Sequence, residues 1–136
     1  MLSRDSDAKL IGIVVVTNGH VGKEMLASIE QIAGPQPDVA AISVGNDDGR
    51  VARDEICRAI DRVDSGEGVI VLTDIKGSSP SNICEHACAG GDRVIISGVN
   101  MPMLLKLTTF RKKSLQIAAR ATAEAGRVHI HLDRCS

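Results

Sequence analysis

Apolar runs that are continuous over a few residues alternate along this chain with longer stretches in which apolar residues recur every three or four positions. Residues 10–16 read LIGIVVV, an unbroken run rich in β-branched side chains, which predicts a strand buried on both faces as in a parallel sheet. Val21–Ala33 places Met25, Leu26, Ile29 and Ile32 at helical spacing, and Gly34-Pro35 stops that helix. Val39–Val44 predicts a second strand. Residues 45–49 form a Gly/Asn/Asp loop, and 51–63 a second helix with Val51, Ile56, Ala59, Ile60 and Val63 facing inward. Residues 69–72 predict a third buried strand. The Gly/Ser loop at 76–79 leads into a helix at 80–89, where Pro80 occupies a first turn that does not need its N–H. Arg93–Ser97 predicts a fourth strand, 100–110 and 113–125 two helices, the latter stopped by Gly126, and 127–132 a last short strand.

This alternation, with connections of a few residues, predicts an α/β fold. It has three layers: a mostly parallel central sheet of four strands flanked by helices, plus a short C-terminal strand at an edge or in a dimer interface. Residues 10–132 read as one domain, 1–9 as a disordered leader and 133–136 as a tail.

Composition narrows the function classes. The 136 residues are 43% hydrophobic and 24% charged, the proportions of a globular protein rather than a disordered one. A net charge of -1, with one Phe and no Trp or Tyr, argues against nucleic acid, which calls for basic surfaces or stacking rings. The run at 10–16 is far short of the roughly 20 residues a spanning helix needs. The polar leader lacks the features of a signal peptide. The expectation is a cytoplasmic protein without membrane insertion, whose Cys57, Cys84, Cys88 and Cys135 remain thiols. Charge is uneven: residues 1–100 carry 9 basic and 15 acidic side chains, and 101–136 carry 7 and 2. Such a bias either steers an acidic partner to the C-terminal part or is simply a solvated face.

In open α/β sheets ligands sit beyond the carboxyl ends of the strands. The informative residues are therefore Thr17-Asn18-Gly19-His20 after strand one, residues 73–82 after strand three and residues 98–103 after strand four. Two of these segments run into helix starts, where exposed N–H groups favour a phosphoryl or carboxylate group. The chain has no Walker A sequence, G-x-G-x-x-G or G-x-S-x-G.

Three segments together carry a family resemblance. IGIVVVTNG stands where an apolar strand ends in T-H-G or S-H-G, LTDIKGSSPSN is close to D-x-x-G-G-[ST]-P-x-N, and SGVNMPML is close to G-V-N-[LI]-P-M. In that order and spacing, over residues 10–132, the chain resembles the IIA component of the mannose family of the bacterial sugar phosphotransferase system. The resemblance implies a homodimeric phosphocarrier. Its histidine at the end of strand one takes a phosphoryl group from phospho-HPr and hands it to a IIB component. Asp74 is then the carboxylate that orients the ring, and Gly77, Ser78, Ser79 and Asn82 receive the phosphoryl oxygens. An imidazole suits that work because it is nucleophilic near neutral pH.

The departures bear directly on function. Asn18 occupies the acceptor position, and an amide nitrogen is not a nucleophile at neutral pH, so the chain as written is expected to be deficient in transfer there. His20 is an alternative acceptor, displaced by two residues. Ser78 replaces the second glycine of the loop, and Lys76 an apolar or aromatic residue. A regulatory module that keeps the partner surface without transferring phosphate is the second reading. Metal ligation is not expected. Cys84, His86 and Cys88 do not share one helix face, and His129, His131 and Cys135 lack a fourth ligand. No cofactor is implied.

Overall fold

The computed structural model describes residues 9–45, 49–87 and 90–135. In chain order the elements are β1 (Gly12–Asn18), α1 (Val21–Ala33), β2 (Val39–Val44), α2 (Gly49–Val63), β3 (Val69–Thr73), α3 (Ser79–Ala87), β4 (Arg93–Ser97), α4 (Met101–Phe110) and α5 (Leu115–Val128). The four strands form one sheet in the order β2-β1-β3-β4, and every pairing is parallel. The chain winds outward from β1 to β2, then crosses back to β3 on the other side of β1. The β1–β3 boundary is thus the point where strand order reverses.

The unbroken apolar runs are explained by cores on both faces. Val14, Val16, Val69 and Val71 pack with Ile56, Ile60 and Val63 of α2 and Cys84 of α3. Their neighbours of opposite parity, Ile13, Val15, Ile70 and Leu72, pack with Ile29 of α1, Leu104 and Leu107 of α4 and Ala118 of α5. Helix α1 lies hard against the sheet: a Cβ on Gly22 would come within 2.9 Å of Val15 Cγ1. Thr17, wholly buried, accepts the Gly22 N–H on its hydroxyl at 2.8 Å and so fixes where α1 leaves β1.

The C-terminal strand expected at 127–132 is not formed in this chain. Arg127 and Val128 complete α5, and residues 130–135 pair with no strand. Gly126 does not stop the helix. It lies inside α5, where a Cβ would come within 2.6 Å of Met103 Cγ, so its smallness serves the packing of α5 on α4. His129 ends the helix, its Nδ1 donating to the Ala125 carbonyl at 2.9 Å. An isolated short strand has no ladder to sustain it, and among the described residues of one chain no strand pairs with the outer edge of β4. The leader at 1–8, the loop residues 46–48, Cys88 with Ala89, and Ser136 lie outside the described residues.

Candidate functional site at the carboxyl edge of the central strands

Strands β1 and β3 run side by side with Val16 opposite Thr73, so the residues just beyond them meet. Asn18, the last residue of β1, has its side-chain amide and its backbone N–H both aimed at Asp74 Oδ2, each at 2.9 Å. A carboxylate only accepts, which orients the amide with its NH2 toward Asp74. The other oxygen, Asp74 Oδ1, takes the Ile75 N–H at 2.8 Å and lies 3.0 Å from Ser78 Oγ. Partial burial raises the affinity of this carboxyl for a proton. The hydrogen bonds from the Asn18 and Ile75 backbones, the Ser78 hydroxyl and the Asn18 amide outweigh it, holding Asp74 below the usual aspartate range. Asp74 is therefore a fixed anion at neutral pH with donors on both oxygens.

His20 lies on the other flank of β1. Its Nδ1 is 3.2 Å from Ser43 Oγ of β2, whereas Asp74 follows β3. The exposed ring borders an open groove with Glu24, Met25, Ser28 and Met101. Asn18 and His20, two residues apart in sequence, thus serve opposite sides of the same strand.

The loop between β3 and α3 is arranged around Asp74. Gly77 adopts φ 87°, which opens the turn into the helix. Ser78 Oγ lies 2.7 Å from the Ile75 carbonyl as well as 3.0 Å from Asp74, so its one proton is divided between two acceptors. The Asn82 amide reaches back to the Gly77 carbonyl at 3.4 Å. Among the described residues no acceptor meets the backbone N–H of Gly77 or Ser79. Lys76 is committed to Glu85, Nζ to Oε1 2.9 Å, and this contact holds the exposed Glu85 carboxyl below its usual range.

The third sequence segment is a joint of the frame. Asn100 caps α4, its side-chain oxygen accepting the Met103 N–H at 3.1 Å while its NH2 donates to the Gly126 carbonyl at 3.2 Å. An Asn two residues before a proline at a helix start is a legible capping signal. The role of Thr17 was missed because its partner, Gly22, is defined only by how α1 docks.

Among the described residues no group of three His, Cys, Asp or Glu side chains is placed to hold a metal ion. Cys84 is buried in the α2–α3 core. His129 and His131 share no strand face; their rings meet edge to face at 6.4 Å beyond α5. No helix among the described residues is long and apolar enough to cross a membrane.

These features define a small doubly wound α/β protein whose polar cluster sits where its strand order reverses. More specifically, the chain belongs to the EIIA-man family, described as PTS system fructose IIA component, which matches residues 12–124. It is 29% identical over 98 residues to the PTS system mannose-specific EIIAB component of Escherichia coli K12. That match covers 71% of this chain and 30% of the relative, so the chain spans under a third of that protein's length. The structure of the mannose/sorbose specific IIA subunit from Enterococcus faecalis superposes with a TM-score of 0.81 at 20% identity, covering 93% of this chain and 96% of that one. Phosphotransferase system component EIIA from Streptococcus agalactiae superposes with a TM-score of 0.78 at 24% identity, over 89% and 95%. Both likenesses show the shared fold.

Proposed function

We propose that this chain is a cytoplasmic IIA component of a mannose-family sugar phosphotransferase system, and that its Asp74 edge receives phospho-HPr and faces a IIB component. As written, it does not carry phosphate at residue 18. The observation that carries this reading is the 2.9 Å bond from the Asn18 amide to Asp74 Oδ2. An acceptor imidazole needs one ring nitrogen donating to an orienting carboxylate and a second offering a lone pair to phosphorus. The Asn18 amide supplies the first function and has no counterpart of the second. Partner geometry is thereby retained while the nucleophile is lost. The N–H groups of Gly77 and Ser79, which meet no acceptor among the described residues, would receive an anion at the start of α3. Titrating phospho-HPr into the labelled chain should shift amide resonances of residues 17–20 and 74–82 first. Shifts confined to another face would overturn the assignment of this edge.

The same reading includes a homodimer. Among the described residues no strand pairs with the outer edge of β4, and Ile130 and Leu132 stand 76% and 99% exposed on the segment that leaves α5. A strand edge and an unpaired apolar segment in one chain are complementary between two. Light scattering at micromolar concentration is expected to give twice the chain mass, and removal of residues 129–136 to give the monomer. A monomeric full chain would refute the dimer.

A further inference from the structure

Asn18 leaves the acceptor position of the family without an imidazole, but the chain has four histidines, and their surroundings differ. His20 borders a groove containing the carboxylate of Glu24, and its Nδ1 faces a Ser43 hydroxyl that can either donate or accept. His129 lines a largely apolar groove with a single cation, Lys106. His131 lies on the exposed segment after α5.

His86, in the last turn of α3, is set differently. Its Nδ1 lies 2.9 Å from the Asn82 carbonyl oxygen. A carbonyl only accepts, so Nδ1 carries a proton, and in the neutral ring the in-plane lone pair is on Nε2. The ring is exposed and borders a groove of about 410 Å3 between α2 and α3, together with Arg50, Arg53 and Asn82. Among the described residues no carboxylate lines this groove, and the adjacent Glu85 is held by Lys76. Arginine presents a planar fork of N–H donors suited to phosphoryl oxygens, and two in one groove match a dianion.

We propose that His86 Nε2 is a phosphoryl acceptor, with Arg50 and Arg53 holding the phosphoryl group beside it. The donor class is a phosphohistidine protein, and in that respect the inference rests on the function proposed above. His86 Nε2 forms a bond to phosphorus as the donor's P–N bond breaks. The donor ring, protonated on its other nitrogen, leaves as neutral imidazole with the electron pair of the broken bond. His86 becomes an Nε2-phosphoryl imidazolium whose Nδ1–H stays on the Asn82 carbonyl, and no net proton is taken up or released.

A small donor separates the site from the partner. With potassium phosphoramidate, whose P–N bond breaks to release ammonia, site-resolved mass spectrometry and 31P NMR should show His86 labelled about tenfold faster than His20, His129 or His131. The double variant Arg50→Gln/Arg53→Gln should bring His86 down to the rate of the other three, while circular dichroism shows the fold retained. Equal rates at all four rings, or indifference to loss of the arginines, would overturn the proposal. Phospho-HPr is then tried as donor. Labelling of His86 by it supports both acceptor and partner. Labelling by phosphoramidate but not by phospho-HPr keeps the acceptor and removes the partner.

Discussion

Asn18→His is expected to create acid-labile phosphate at residue 18 on incubation with phospho-HPr, where the parent chain has none. Residue 18 ends β1 directly beside the residue that follows β3, and its side chain already reaches Asp74 Oδ2 at 2.9 Å. An imidazole on the same backbone would donate one ring N–H to that oxygen and present its other nitrogen toward the start of α3. Asp74 is ionised at neutral pH because its hydrogen bonds outweigh its partial burial, so it can stabilise the cationic ring that forms as phosphorus is bound. Adding Asp74→Asn to Asn18→His should slow the labelling roughly 10–100-fold, the usual cost of losing a group that orients a histidine. His20 does not substitute for residue 18 in this scheme, because Ser43 holds it on the β2 side, away from Asp74. An inert Asn18→His with a competent donor would remove residue 18 from the site, and fast labelling of His20 in the parent would show that Asp74 is dispensable.

The largest effect on stability is expected from Arg111, far from that edge. The residue is 3% exposed. Its guanidinium donates to the Ile11 carbonyl from Nε at 3.0 Å and from Nη2 at 2.8 Å, to the Asp38 carbonyl at 3.2 Å and to Gln36 Oε1 at 3.4 Å. The backbone returns the link, the Ile11 N–H donating to the Arg111 carbonyl at 3.0 Å. One side chain thus ties the end of α4 to the entrances of β1 and β2. It also braces Asp38, which sits at φ 55°, a conformation disfavoured for a residue with a Cβ. Burial lowers the guanidinium's proton affinity, partly offset by the charge of Asp38, and arginine remains a cation throughout the accessible pH range. Arg111→Met keeps much of the volume but strips the carbonyls of Ile11 and Asp38 of charged donors in a dry place. The expected loss is about 3 kcal/mol in urea unfolding, from unmet hydrogen bonds to a charged group. Arg111→Lys should recover only part of it, since one ammonium cannot reproduce the fork. A change below about 0.5 kcal/mol for the methionine variant, the size of an ordinary surface substitution, would show that water replaces the guanidinium.

Which elements form was legible from local pattern. The strands could be read because side chains buried on both faces must be apolar at every position, as in LIGIVVV. The helices could be read because one buried stripe leaves a 3.6-residue period. The three polar segments after the strands marked the edge to examine, since backbone beyond a parallel strand is the part the sheet leaves unpaired. The tertiary structure decided the rest, because the deciding partners are distant in sequence. That Asn18 faces Asp74 while His20 faces Ser43 depends on β1 lying between β2 and β3. Gly126 read locally as a stop, yet α5 runs through it because Met103 of α4 needs the space a Cβ would take. Arg111 was one more cation in a basic C-terminal stretch until Ile11, a hundred residues earlier, supplied its acceptor. Local pattern determines which residues must be buried and with what period. Only the packed chain determines which buried or edge group each polar side chain meets, as the pairing of Asn18 with Asp74 shows.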